Sequence, residues 1–142
     1  MCGICGEFKF NGKSFNDVKL ANLMRSISNR GRDSKGTFKN TDIFLGHHRL
    51  SIIDTSDKSN QPMVIGDYVI VFNGIIYNYK DIRQKLIAKG HIFKSTGDTE
   101  VVIRSYIEYG DKCVEYLDGV FSFCIYNFCL LYTSPSPRDF TE

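Results

Sequence analysis

The sequence predicts an α+β protein in which antiparallel sheets are layered and flanked by helices. Two observations lead there. Segments with the two-residue alternation of strands, such as residues 120–126, are interspersed with segments whose apolar residues recur at i, i+3, i+4 and i+7, as at Leu20, Leu23, Met24 and Ile27. These segments follow one another in mixed order, and no internal repeat is visible. With 142 residues, 42% of them hydrophobic, the chain can build one core and one domain.

Residues 4–10 alternate as a strand does, and Asn11-Gly12 supplies turn chemistry after them. From Asn16 the period changes to that of an amphipathic helix, with Gly31 placed as its C-terminal stop. Arg30-Gly31-Arg32-Asp33-Ser34 reads as a polar loop, and residues 43–46 start a second strand that leads into His47-His48-Arg49-Leu50-Ser51-Ile52-Ile53-Asp54. Residues 68–72 are a continuous apolar run of strand length, ended by Asn73-Gly74, a dipeptide that reads first as a hairpin turn. Residues 79–88 form a short helix stopped by Gly90. Asp98 is a natural N-cap for a helix whose buried face is Val102, Ile103, Tyr106 and Ile107, closed by Gly110. Asp118-Gly119 is a turn. The strand after it sets Phe121, Phe123 and Ile125 against Ser122, Cys124 and Tyr126.

Composition removes several function classes. The formal net charge is only +2 and no Lys/Arg stripe stands out, so a nucleic-acid footprint is unsupported. The longest apolar run, residues 120–132, is interrupted by Ser122 and Asn127 and is too short for a bilayer helix. No signal peptide is visible. Five cysteines, an odd number without disulfide-framework spacing, fit a reducing cytoplasm. Cys2-Gly3-Ile4-Cys5 is formally a C-x-x-C. It lacks a second metal-ligand pair, and it runs straight into a strand instead of opening a helix, where a dipole would activate a redox thiol. No metal ligands are assigned.

The stretch with the most chemistry is Met1-Cys2-Gly3-Ile4. Removal of Met1 leaves Cys2 at the N-terminus, joining a thiol and a free α-amine on one residue. An α-amine titrates near pH 8, so it can serve as general base for the thiol beside it, and no histidine is needed. Other candidates are weaker when taken singly. Arg49, bordered by Leu50, Ile52 and Ile53, could capture a carboxylate bidentately or be an ordinary solvated arginine. Asn73 and Gly74 could donate to an oxyanion or simply make a turn. Asp98 could receive an ammonium group or cap its helix.

Taken together, Met1-Cys2-Gly3-Ile4, His48-Arg49-Leu50-Ser51-Ile52-Ile53-Asp54, Gln61-Pro62-Met63, Asn73-Gly74 with Ile76-Tyr77-Asn78, Gly97-Asp98-Thr99-Glu100 and Asp118-Gly119-Val120-Phe121 resemble a known family. They look like the glutaminase domain of glutamine-hydrolysing asparagine synthetases, class II glutamine amidotransferases of the N-terminal-nucleophile hydrolase fold. The likeness covers residues 1–128, and its Arg-Leu-Ser-Ile-Ile-Asp block points to the asparagine synthetase branch. It implies a four-layer αββα sandwich of antiparallel sheets, incomplete at its C-terminus. It implies that Cys2 is the nucleophile and its α-amine the base, and that Asn73 and Gly74 form the oxyanion hole. Arg49 would hold the α-carboxylate of L-glutamine with backbone groups of Ile52 and Ile53, and Asp98 would bind the α-ammonium. The family's chemistry proceeds through a γ-glutamyl thioester. The released ammonia travels to a second domain that amidates aspartate with ATP and Mg2+; no cofactor is expected in residues 1–128 themselves. The partners so implied are L-glutamine and that C-terminal synthetase domain, and a homodimer of the full-length protein is left open.

The sequence departs from the family at three places. Ile75 stands where the family has Glu in Asn-Gly-Glu-Ile-Tyr-Asn, which leaves more of the ammonium contact to Asp98. Arg32 replaces the Pro of Arg-Gly-Pro-Asp. Residues 129–142, with their Ser/Pro stretch, break the pattern and resemble translated adapter sequence; they are read as a non-native tail. The alternatives are an amidotransferase of the same fold with another carboxylate or sugar acceptor, and an inactive small-molecule-binding module.

Overall fold

The structure is a computed structural model, and it describes residues 1–10, 12–51 and 55–129. Along the chain run β1 (Gly3–Phe8), α1 (Asp17–Ser26), β2 (Ser34–Lys39), β3 (Ile43–Arg49), β4 (Met63–Ile65), β5 (Tyr68–Ile76), α2 (Tyr79–Ala88), α3 (Asp98–Tyr109) and β6 (Gly119–Asn127). They form two three-stranded antiparallel sheets, ordered β1-β3-β2 and β4-β5-β6.

Strand alternation decides how the sheets stack. Ile43 and Leu45 of β3 meet Val69 and Val71 of β5 in a core between the sheets, joined by Ile4, Phe38, Tyr126 and Phe128. The opposite face of β5 carries Ile70, Phe72 and Ile76 into a second core with Ile82 and Leu86 of α2 and Val101, Val102 and Ile103 of α3. α1 lies over the outer face of the first sheet, where Gly46 lacks the side chain that would collide with Met24 and Cys5. The layers are therefore helix, sheet, sheet, helices: the αββα arrangement that the resemblance implies.

α1 begins where expected, with Asn16 Oδ1 accepting from the Val18 and Lys19 amides at 3.0 and 3.2 Å. It ends sooner than expected. Ser26 is its last residue, a 3₁₀ turn (Ser28–Arg30) follows, and Gly31 is extended. Gly31 is there for contact, since a Cβ would strike the backbone of His48 and Arg49. α2 spans the expected residues, with Gly90 at φ +99° beyond it, and Gly110 at φ +65° closes α3.

Two strands escape the sequence reading. β2 reads as polar because only one face is covered: Ser34, Gly36 and Phe38 are half-buried while Lys35, Thr37 and Lys39 are exposed. β4 has three residues, too few for a period to show. Two expected turns are also strand. Asn73-Gly74 lies inside β5, opposite Ser122 and Phe121 of β6, and Gly119 is the first residue of β6, opposite Ile76. Asp98 is the first residue of α3, not its cap; Gly97 holds the cap position, and the Asp98 carboxylate is used elsewhere.

Candidate active site

Four chain segments converge at one end of the inter-sheet layer. β1 and β3 are antiparallel, with Gly3 opposite His48, so the residue before β1 and the last residue of β3 lie side by side. The second half of β5 and the start of α3 close the other wall. Cys2, Arg49, Asn73, Gly74, Ile75 and Asp98 all line this cleft. Ile52 and Ile53 lie outside the described residues.

Cys2 is half-buried, and its sulfur accepts a hydrogen bond from the Leu50 amide at 3.2 Å. Arg30 Nε donates to the Cys2 carbonyl at 3.0 Å, fixing the backbone that presents the thiol. Met1, 54% exposed, is open to removal. The other half of the C-x-x-C goes elsewhere: the Cys5 sulfur lies 3.8 Å from Met24 Sδ, on the α1 side of the sheet. Both thiols are free. Among the described residues no group of three His, Cys, Asp or Glu converges as a metal site, and no helix is long and apolar enough to cross a membrane.

Arg49 is buried, which settles against a solvated side chain. Its Nη1 donates to the Ser56 carbonyl at 2.7 Å and to Asn60 Oδ1 at 2.6 Å, so the guanidinium plane is fixed before any ligand arrives. Asp33 supports the segment beyond it by accepting from the Ser51 amide at 2.6 Å.

β5 supplies the opposite wall. β4 pairs with it only through Ile70, so the edge beyond is open to side chains. On that edge the Phe72 amide donates to Gln61 Oε1 at 2.5 Å, and the Ile76 amide donates to Asp98 Oδ2 at 3.0 Å. The Tyr77 amide turns the other way, to the Asp118 carbonyl. Strand alternation therefore puts the Gly74 N–H between the Phe72 and Ile76 amides, opening onto the cleft. Only glycine fits there: φ is +145°, and a Cβ would collide with the Val120 carbonyl and Phe121. The neighbouring Asn73 shares the side-chain face of Val69 and Val71, turned toward the first sheet, and its Oδ1 is buried without a hydrogen-bond partner among the described residues. Ile75 is 37% exposed at the cleft wall.

Asp98 is buried, and burial pushes its carboxyl above the usual range, opposed by hydrogen bonds from the Ile76, Asp98 and Thr99 amides. It is thus a hydrogen-bond acceptor in a partly dry wall. Just behind it, Glu100 accepts from the Lys94 and Ser95 amides, from Ser95 Oγ at 2.6 Å and from Arg104 Nε at 2.6 Å. Burial alone would raise the Glu100 carboxyl, but these donors outweigh it and hold it below the usual range.

Three residues were not singled out by sequence reasoning: Gln61 and Thr99, which line this wall, and Glu100 behind it. Each stood inside a quoted motif, Gln61-Pro62-Met63 or Gly97-Asp98-Thr99-Glu100, and the motif was their only signal.

Comparison with known proteins gives the family and the fold. The glutamine amidotransferase domain family matches residues 1–129. Asparagine synthetase [glutamine-hydrolyzing] 3 of Bacillus subtilis is 37% identical over 132 residues, covering 89% of this chain and 21% of that protein. Asparagine synthetase [glutamine-hydrolyzing] 1 of Arabidopsis thaliana is 38% identical over 128 residues, covering 88% and 21%. The chain thus spans about a fifth of the length of these relatives. Among solved structures, the glutamine phosphoribosylpyrophosphate amidotransferase of B. subtilis aligns at TM-score 0.53 and 23% identity, over 63% of this chain and 22% of that one, a likeness of fold.

Proposed function

This chain belongs to the glutamine amidotransferase domain family, and on that premise we propose that it releases ammonia from L-glutamine with Cys2 as nucleophile. The observation that carries the reading is the Gly74 amide, left open between two occupied neighbours on the cleft that Cys2 also lines.

In this reading, removal of Met1 frees the Cys2 α-amine, which takes the thiol proton. The sulfur attacks the side-chain amide carbon of glutamine, and the oxyanion accepts from the Gly74 N–H and the Asn73 side-chain amide. The α-amine returns the proton to the leaving nitrogen, and ammonia departs from a γ-glutamyl thioester. Water then adds, the C–S bond breaks, and glutamate leaves with the thiol restored. Arg49 holds the substrate α-carboxylate and Asp98 its α-ammonium. Two anchors at the α-centre set the reach to the sulfur and so exclude asparagine, whose side chain is one methylene shorter. Because the relatives are asparagine synthetases, we take the acceptor of the ammonia to be aspartate, amidated with ATP and Mg2+ by a synthetase domain outside residues 1–129.

Intact mass before and after a glutamine-like diazo-ketone tests the assignment. Loss of Met1 and one adduct on Cys2 are expected, and Cys2→Ala should abolish both the adduct and ammonia release. A folded chain that has lost Met1 but takes no adduct would refute it.

A further inference from the structure

We propose that Gln61 is a positioning residue that sets the distance between the Gly74 amide and the Asp98 carboxylate, and thereby selects the length of the substrate side chain. The proposal rests on the glutaminase reading above.

Gln61 is 7% exposed, and its carboxamide bridges the two elements that carry the ends of the site. Oε1 accepts from the Phe72 amide at 2.5 Å, two residues before Gly74. Nε2 donates to Thr99 Oγ1 at 3.2 Å, one residue after Asp98. The register explains why a side chain is needed. Met63 of β4 faces Ile70 of β5, so a continued strand would bring the Gln61 backbone opposite Phe72. β4, however, begins only at Met63, so its backbone does not reach Phe72. The Gln61 side chain supplies the acceptor that the missing strand would have provided. The Phe72 carbonyl is held as well, by His47 Nε2 at 3.2 Å. Gln61 is itself braced from the first sheet, where a Cβ on Gly36 would collide with its carbonyl.

The clamp has a consequence for selection. Glutamine and asparagine differ by one methylene between the α-centre and the amide. If the oxyanion donor and the ammonium acceptor are held at one spacing, only one of the two can satisfy both. A site free to breathe loses that discrimination, which for one methylene is commonly tenfold or more.

The test compares the full chain with Gln61→Met, which keeps the length but removes both polar atoms. Gln61→Glu is the conservative variant, because it still accepts from Phe72 and can accept from the Thr99 hydroxyl. Ammonia release is measured as kcat/KM for glutamine and for asparagine. Gln61→Met should lower the glutamine-to-asparagine ratio by about tenfold or more, with Gln61→Glu nearer the parent. Equal loss on both substrates, leaving the ratio unchanged, would show a merely structural role and overturn the proposal. A parent chain without glutaminase activity would instead refute the glutaminase reading. Amide exchange by NMR in the unliganded chain then decides the clamp. Phe72 should lose protection in Gln61→Met while Ile70 keeps it, and the Gly74 and Asp98 resonances should shift. An unchanged Phe72 would overturn the proposal.

Discussion

In the proposed reading, Asp98 serves binding at the expense of the fold. Its carboxylate accepts from the Ile76 amide, yet burial still pushes its pKa up. A raised carboxyl pKa means that the ionised form is the disfavoured one in the folded chain. That cost is present above the folded pKa and is relieved as pH falls through it toward the unfolded value. Asp98→Asn should therefore raise the melting temperature at neutral pH, a shift that calorimetry reads directly. The same change removes the charge that, in the proposed reading, faces the substrate ammonium. Losing one partner of a buried charge pair costs about 2 kcal/mol or more, so KM for glutamine should rise about thirty-fold or more, with a smaller change in kcat. Equal stability and an unaltered KM would place Asp98 outside the site. In the parent, glutamine capture should weaken on acidification through the same raised pKa.

At the scale of elements, β5 and α3 meet the cleft with different devices. β5 does so by combining a mirror-region glycine with an edge that a three-residue partner leaves uncovered. Gly74→Ala would force a Cβ into the Val120 carbonyl and impose a backbone conformation costing about 1–3 kcal/mol. We expect a lower denaturation midpoint and loss of ammonia release, together with displaced β6 amide resonances beside Val120 and Phe121. α3 is held by Glu100, whose oxygens gather the Lys94 and Ser95 amides and Arg104. The Phe93 ring lies beneath both Arg83 and Arg104, at 4.5 and 5.2 Å. Glu100→Ala would leave Arg104 buried and unpaired, a loss of about 3–5 kcal/mol. Urea denaturation should show it as a large fall in midpoint, and Glu100→Gln, which keeps the acceptor oxygen, should fall less.

At the scale of the molecule, His47 joins the two sheets. It is fully buried in β3, and its Nε2–H donates to the Phe72 carbonyl of β5, while Nδ1 has no partner among the described residues. Burial, together with the nearby Arg49 and His48 charges, lowers its pKa to about 4, against the opposing effect of the Phe72 bond. The neutral ring is thus the folded form. Its contribution is complete above the unfolded value near 6.5 and is lost as pH falls from there to about 4. The span corresponds to about 3 kcal/mol at most. Denaturant midpoints at pH 7.5, 6 and 4.5 should fall in that window, and less steeply in His47→Gln. An equally steep fall in the variant would assign the acid sensitivity to other groups.

The periodic helices α1 and α2 and the alternation of β6 were legible in the sequence because each buries one face of a regular element, and regular burial leaves a period. β5 was legible as a continuous apolar run because it buries both faces. The glutaminase-like residues were legible only as short ordered motifs. Cys2, Arg49, Asn73, Gly74 and Asp98 lie far apart in the chain, and no local rule told an open cleft from a solvated surface, a turn or a cap. Tertiary structure decided those cases. Pairing with β6 made Asn73-Gly74 a strand, the short β4 exposed the edge on which the Gly74 amide opens, and the Ile76 amide drew Asp98 away from its own helix end. Each of these is a hydrogen bond or contact between residues distant in sequence. Periodicity reports which face of an element is buried, whereas only the folded chain determines which backbone groups find partners and which one remains for a substrate.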